Sequence, residues 1–456
     1  MKKITGIILV LSMLVMSVGC GDNSTEKEKS SAEEDIKTTS VSEETEAVSE
    51  TEATSSTEEK EETTTEENTT EAPEVQKETE FLKLNEKYLS DYAWSEEYGV
   101  NLAEFECSSV LLEKDEAKRY PELAESLSSA CDMYEVNMLE SHDMFISDAK
   151  EMLSAGEQGF DTLVSTLDVH VRRADNTVLS ILYDSFYYNG MNDGIRSFWG
   201  GNYDTETGKE IYLPDVVTDM EELASVVEAQ LFDEIGADVF YSDTIIREYF
   251  NDYGADGTHW TIEYNGITVY FDEGEIAGSG VGAMSVTVEF AEYPELFKEK
   301  YTAVPEAYIV GIPMKSPFRT DLGGDGSSDE LFLSDSYDEE FAWNATLTIA
   351  TEEVDYNESF VAYGCEAYYV KTADDRNYLY VLVEFESQTE LYTYAITNTT
   401  ISKVGEQPIS PYYSDQTVSV LTDPDNMHFD IFGNADVEPV GDDFFTVGYD
   451  GMPVMK

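Results

Sequence analysis

The sequence predicts an α+β fold, with helices packed on an antiparallel sheet, followed by a β-rich C-terminal domain of sandwich or partial propeller type. Three observations predict it. Apolar residues repeat at three- and four-residue spacing over residues 120–153 and again over 218–231. Between and after those stretches the period falls to two, most sharply on either side of Asn265-Gly266. After about Pro305 the helical period vanishes and only short β-type runs between turn residues remain.

In chain order, periodic apolar pattern begins near Phe81. Arg119-Tyr120-Pro121-Glu122 opens the first long helix, with Pro121 suited to a first turn that needs no N–H partner. Tyr120, Leu123, Leu127, Cys131, Tyr134 and Met138 form its stripe, Phe145, Ala149 and Met152 continue it, and Gly156 stops it. Leu167, Val169 and Val171, then Leu179, Ile181 and Tyr183, alternate as two strands around an Asp175-Asn176 turn. Thr218-Asp219-Met220-Glu221 reads as a capping box for a second helix through Leu231, ending at Gly236. Trp260, Ile262 and Tyr264 pair across Asn265-Gly266 with Ile267, Val269 and Phe271, and Met284 to Phe290 adds a strand. The β-rich domain is read from runs at residues 308–310, 331–333, 345–349, 378–383, 391–394 and 444–447.

Length and charge bound the function. The chain has 456 residues and a formal net charge of -70. The stretch from Gly21 to Glu80 holds 21 of the 96 acidic and 5 of the 26 basic side chains, and the first twenty residues hold 2 basic ones, which leaves -56 on residues 81–456. Such a surface repels nucleic acid and anionic lipid and attracts cationic proteins and divalent metals. The four histidines, His142, His170, His259 and His428, have no second ligand at helical spacing, so a zinc site or Cys-His nucleophile pair is not indicated. Cys107 and Cys131 are close enough in sequence to pair, which would leave Cys365 free; three buried free thiols are the other reading.

The N-terminus gives an address. Met1-Lys2-Lys3 precedes an apolar run to Met16, then the small residues Ser17-Val18-Gly19 before Cys20. The Ser-Val-Gly-Cys segment resembles the lipobox of bacterial lipoproteins, with Ser17 where that motif usually carries leucine. The resemblance implies a lipoprotein signal peptide over residues 1–20, acylation (palmitate) of Cys20 as the mature N-terminus, and a lipid anchor on the outer face of the cell membrane. Residues 21–85, rich in Glu, Thr and Ser, are expected to be a disordered acidic tether.

Three stretches carry a second resemblance: Val171-Arg172-Arg173-Ala174-Asp175-Asn176-Thr177-Val178-Leu179-Ser180, the segment from Asn202 to Asp215, and the segment from Gly266 to Ala277. They are similar to the extracellular domain shared by the lysozyme-sensing anti-sigma factor and a peptidoglycan deacetylase of Gram-positive bacteria. The resemblance covers residues 165–297 and implies an extracellular binding module over 86–300, with 301–456 as the β-rich domain. Where that family has a histidine in a Gly-Gly-Ala-His-Gly turn, this chain has Asp193 in Asn189-Gly190-Met191-Asn192-Asp193-Gly194, so no role of that histidine carries over. Neither a deacetylase domain nor a cytoplasmic anti-sigma segment is recognisable. One family member binds lysozyme, a cationic protein, which an acidic partner suits.

Two groups of residues are candidates for binding. Asp321, Asp325, Ser327 and Asp329, with Gly326 at the sharp turn, follow the donor spacing of a calcium loop; Gly323 stands where a side-chain ligand is usual, and a metal-free Asp/Gly turn is the alternative. Tyr187, Tyr188, Asp193 and Trp199 flank the altered turn, where aromatic rings stack on sugars or pack on a protein, or else on the sheet itself. No catalytic motif is present, and 96 acidic side chains make any paired carboxylates uninformative. The expected role is non-catalytic recognition of an extracellular ligand, a cationic protein or cell-wall glycan. The alternative is a wall-glycan hydrolase or esterase, for which a buried carboxylate pair with raised pKa would be the sign.

Overall fold

A computed structural model describes residues 79–156, 159–190, 194–338, 342–385, 388–411, 413–414, 417–431 and 444–456. The expected signal peptide with Cys20, most of the expected tether, and Asp193 lie outside the described residues. The fold is α+β, with helices on sheet in its first part and a β-rich second part. Among the described residues no helix is long and apolar enough to cross a membrane.

Leu82 and Leu84 are buried, so the fold starts before the expected 85/86 boundary. Two strands that the sequence reading passed over come first, β1 (Leu84–Ser95) and β2 (Val100–Leu112). The short α1 (Lys114–Arg119) leads into α2 (Pro121–Ser154), which has Pro121 in its first turn as the spacing predicts. Leu123, Leu127 and Cys131 of α2 pack on Phe105, Cys107, Leu167 and Ile181 of the sheet below. Because α2 carries the chain back over the sheet, β3 (Leu163–Ala174) lies parallel to β2, an exception in a sheet otherwise antiparallel. Next come β4 (Val178–Tyr188) and β5 (Ile195–Asp204). The predicted turn between β3 and β4 is held by Asp175, whose Oδ1 accepts the N–H of Thr177 at 2.7 Å and of Val178 at 2.9 Å.

A second core is built by α3 (Leu213–Val216), α4 (Met220–Leu231), α5 (Ile245–Gly257) and a three-stranded sheet of β6 (His259–Ile262), β7 (Gly266–Phe271) and β8 (Met284–Glu289). Two local expectations shift by one residue. The helix cap is Asp219, which accepts from the N–H of Glu221 and Glu222 at 3.0 and 3.1 Å; the Thr218 hydroxyl instead donates to the carbonyls of Glu295 and Leu296. In the hairpin Ile262 pairs with Ile267 and the Glu263 N–H reaches the Gly266 carbonyl, so Tyr264-Asn265 form the turn. Tertiary packing sets that register: Tyr264 is buried with its ring 4.6 Å from that of Tyr308, and the Asn265 amide donates to the Arg319 carbonyl.

The remaining strands are β9 (Tyr308–Ile312), β10 (Phe318–Thr320), β11 (Asp329–Asp338), β12 (Ala342–Ala350), β13 (Asp355–Val361), β14 (Gly364–Lys371), β15 (Asn377–Phe385), β16 (Gln388–Thr397), β17 (Thr400–Pro411), β18 (Tyr413–Ser414), β19 (Thr417–Ser419), β20 (Met427–Ile431), β21 (Phe444–Val447) and β22 (Pro453–Met455). A four-stranded sheet, β10-β11-β12-β13, shares one core with an eight-stranded sheet, β22-β21-β20-β17-β16-β15-β14-β9, through Leu331, Leu347, Leu379 and Val381. Of the two architectures expected for this part, two sheets on one core make a sandwich. The chain then returns to the start: β18 and β19 extend the first sheet to the order β18-β19-β1-β2-β3-β4-β5, with Asn85 opposite Ser419.

The sheets meet at two buried arginines of β3. Arg172 donates to Glu263 Oε1 from Nε at 3.0 Å and from Nη2 at 2.6 Å, and its Nη1 donates to the Gly311 carbonyl of β9. Arg173 pairs with Asp175 at 2.7 Å and donates to the Tyr301 carbonyl at 2.6 Å. Close by, β5 passes β6 so tightly that a Cβ at Gly200 would lie 1.7 Å from the Trp260 carbonyl oxygen.

Candidate functional site: an aromatic and acidic sheet face

One face of the seven-stranded sheet lies under α2, and the other carries the site. Along β1, Tyr88, Ser90, Tyr92 and Trp94 fall on the same side of the pleat. The register sets Tyr88 opposite Ser108, Ser90 opposite Glu106 and Tyr92 opposite Glu104, while Phe105 and Cys107 between them enter the core under α2. Tyr88 is 45%, Tyr92 69% and Trp94 55% exposed, and Glu104 and Glu106 are exposed beside them. Strand β19 covers β1 only from Asn85 to Lys87, so among the described residues no strand lies along its outer edge beyond Lys87.

The same face continues inward to a set of carboxylates from two sheets. Asp168 on β3 and Asp184 on β4 are direct partners in register, an unfavourable arrangement for like charges. Asp184 is 1% exposed; its Oδ1 accepts from Arg196 Nε at 2.8 Å. Its Oδ2 has no hydrogen-bond partner and lies 3.9 Å from His170 Nε2, which also has none. Burial, then the charge of Asp184, pushes Asp168 up to about 7. Burial, then the charge of Glu366 on β14, pushes Glu86 on β1 up to about 8. Burial also raises Glu366, although the residue remains solvent-exposed. Tyr368 Oη donates to Glu366 Oε2 at 3.0 Å. Tyr88 joins the two halves: burial and then Glu106, Asp168 and Glu384 hold its hydroxyl well above the usual phenol range.

The arrangement can hold a cation between carboxylates at its inner end and stack a planar or sugar ring at its outer end. The sequence reading missed it because it lies on β1, β2 and β14. Its signal was the alternation of Tyr88, Ser90 and Tyr92 and of Glu104, Glu106 and Ser108.

The residues singled out from sequence go elsewhere. Trp199 turns toward α2, where its Nε1 donates to Tyr134 Oη at 3.0 Å and its ring stacks on Tyr183 at 5.6 Å. Tyr187 packs on Phe145 of α2 at 4.5 Å. These two rings are therefore engaged in packing, the alternative that the sequence left open; Tyr188 is half-buried and Asp193 is outside the described residues. The Asp321 loop is closed by its own backbone. Asp321 accepts the N–H of Gly324, Asp325 and Gly326 at 2.6, 3.1 and 2.9 Å, Asp325 that of Ser327 at 2.8 Å, and Asp329 that of Gly323 at 2.7 Å. Among the described residues no three acidic, histidine or cysteine side chains converge to hold a metal. Cys107, Cys131 and Cys365 are free thiols.

No protein-family model matches the sequence, and no curated protein matches it. Among solved structures, a DUF3298-family member from Bacteroides fragilis is similar at 14% identity and a TM-score of 0.37, covering 48% of this chain and 94% of its own. A DUF3298-family protein from Pseudomonas aeruginosa is similar at 16% identity and a TM-score of 0.32, covering 49% of this chain and 97% of its own.

Proposed function

We propose that this chain is a lipid-anchored protein of the outer face of the cell membrane that binds an extracellular cationic ligand without transforming it. The observation that carries the reading is the exposed row of Tyr88, Tyr92 and Trp94 beside Glu104 and Glu106. Exposed aromatic rings next to like-signed charge suit a partner that is basic and partly apolar, such as lysozyme, and the same rings suit wall glycan. The test is surface plasmon resonance of the unit from Val75 to Lys456 against lysozyme and against soluble wall fragments. Substituting Tyr92→Ala and Trp94→Ala together is expected to weaken lysozyme binding by tenfold or more, since a good aromatic anchor is worth about 2 kcal/mol. Unchanged affinity in that variant sinks the reading.

Weak calcium binding at the Asp321 loop belongs to the same proposal. Burial, then the charges of Glu292 and Asp321, raises Glu289, and burial, then Asp325, raises Asp329; a divalent ion would relieve the loop's share of that repulsion if the loop closed further on it. A thermal melt in excess Ca²⁺ is expected to shift upward by several degrees, against no shift in Mg²⁺; identical melts with and without Ca²⁺ leave the loop a metal-free turn.

The raised carboxyls of Glu86 and Asp168 favour a second reading, a wall-glycan hydrolase with one of them as general acid. Release of reducing ends from peptidoglycan that disappears with Glu86→Gln separates that reading from pure binding.

A further inference from the structure

The outer edge of β1 is open along its middle, and the hydrogen bonds at its start show which backbone groups face outward. The Val420 N–H donates to the Leu84 carbonyl at 3.0 Å from the β19 side, and the Glu113 N–H donates to the Lys83 carbonyl at 2.9 Å from the β2 side. In an antiparallel strand the N–H and C=O of one residue point the same way, and the direction alternates from residue to residue. Even-numbered residues of β1 therefore turn their backbone groups to the outer edge. Strand β19 ends beside Lys87, so Ser90 and Tyr92 present theirs where no strand lies among the described residues. The Tyr92 N–H is taken by the adjacent Asp91 Oδ1 at 2.8 Å, a local substitute for a strand partner. The register shift between Tyr92 and Trp94 ends the run.

Exposed edges of natural sheets are guarded by charge, proline or a covering element. From Tyr88 to Trp94 this edge has Asp91 as its one charged residue and exposed rings at Tyr88, Tyr92 and Trp94. Charge decides what it suits. The chain's own segment from Gly21 to Glu80 holds 21 acidic and 5 basic side chains, and a second copy brings a formal charge of -70, so both are repelled. A basic segment is attracted, and the register gives its charge a place. Ser90 lies opposite Glu106, and a strand added outside β1 would lie about 10 Å from β2, two strand spacings away. Across the small Ser90 side chain, a lysine or arginine of that strand reaches the exposed Glu106, with the Tyr92 ring beside its stem.

We propose that the ligand contributes an extended basic peptide segment that joins the first sheet as an added strand along Ser90 and Tyr92 of β1. Main-chain hydrogen bonds attach it, and a lysine or arginine opposite Ser90 meets Glu106. The proposal deepens the binding reading above and rests on it for the charge of the ligand. It also selects a protein ligand over wall glycan, whose sugar rings offer no strand to pair.

The probe is an end-capped peptide of alternating lysine and valine, titrated calorimetrically into the full chain in detergent. Its control is the same peptide N-methylated at two adjacent central residues. That change keeps every charge and obstructs both edges of the peptide strand, since neighbouring N–H groups point opposite ways. In the protein, Ser90→Pro removes an outward N–H and no bond to β2, a position where an edge strand tolerates proline, and a thermal melt checks its fold. The expected result is saturable one-to-one binding, weakened about tenfold or more by N-methylation and by Ser90→Pro. An N-methylated peptide that binds within about twofold of its parent, or many peptides bound per chain, overturns the proposal without recourse to any protein variant. Concentration-dependent dimers that Ser90→Pro abolishes, in a chain that ignores the peptide, overturn it in favour of a second copy. If lysozyme binding depends on Tyr92 and Trp94 while N-methylation changes nothing, strand addition falls and the binding face stands. If lysozyme fails to bind and the peptide still needs its N–H groups, strand addition stands with a different basic ligand.

Discussion

Arg172→Met is expected to lower the unfolding free energy of the chain by about 3–5 kcal/mol, the cost of leaving one member of a buried ion pair without its partner. Arg172 and Glu263 are both fully buried, and Glu263 Oε1 takes two of the arginine's N–H groups and the Thr268 hydroxyl at 2.9 Å. With Arg172 gone, a carboxylate remains in the interior where β3, the β6–β7 hairpin and β9 meet, and the Gly311 carbonyl loses its donor. The guanidinium also lies 5.1 Å from the Phe318 ring, so the joint loses a cation–π contact as well. Urea unfolding of the single variant and of Arg172→Met with Glu263→Met together is the check. The double variant is expected to recover most of the loss, because two apolar side chains leave no buried charge. A single variant as stable as the parent would falsify this account of how the sheets are joined.

That joint explains what the resembling stretch around Arg172-Arg173-Ala174-Asp175-Asn176 does in this chain. Every polar side chain of the stretch for which a bond is described is spent on structure: Arg173 on Asp175 and the Tyr301 carbonyl, Asp175 on the turn to β4, and the neighbouring Thr205 on the Asp175 carbonyl at 2.7 Å. The motif was legible as a motif, and its meaning is architectural. The helix over residues 121–154 was legible because one side of it is apolar along most of its length. Strand β1 was not, because Tyr88, Tyr92 and Trp94 put large rings on its exposed face and blur the alternation, and β2, where Glu104 and Glu106 do alternate with Phe105 and Cys107, was passed over beside it. The inner carboxylates were beyond any reading of spacing. Glu86, Asp168, Asp184 and Glu366 are far apart along the chain, and among 96 acidic side chains nothing in their spacing selects these four. Trp199 misled for the opposite reason: an aromatic cluster beside a turn looks the same in sequence whether it faces solvent or α2.

Two of these carboxylates, Glu86 and Asp168, make stability depend on pH in a definite direction. Glu86 titrates at about 8 and Asp168 at about 7 in the folded chain, each raised first by burial and then by a neighbouring carboxylate, against about 4 in the unfolded chain. A carboxyl raised on folding stabilises the fold when protonated. That contribution is complete below pH about 4, falls as pH rises, and is gone above about 8. A tenfold change in proton affinity on folding corresponds to about 1.4 kcal/mol, and partial solvent access of both side chains reduces the sum to about 2–4 kcal/mol between about pH 5 and pH 8.5. The chain is therefore expected to melt several degrees higher at about pH 5 than at about pH 8.5. Its overall negative charge pushes the same way, since protonating surface carboxylates relieves repulsion. The cluster's share is isolated by Glu86→Gln with Asp168→Asn, which removes two titrating groups while keeping their shape. In that variant the melting temperature at the alkaline end is expected to rise above the parent's and the pH dependence to flatten. A parent and variant that lose stability in parallel across this range would show that these carboxyls are solvated and ionised like the rest. In that case Glu86 and Asp168 would belong to an ordinary charged surface.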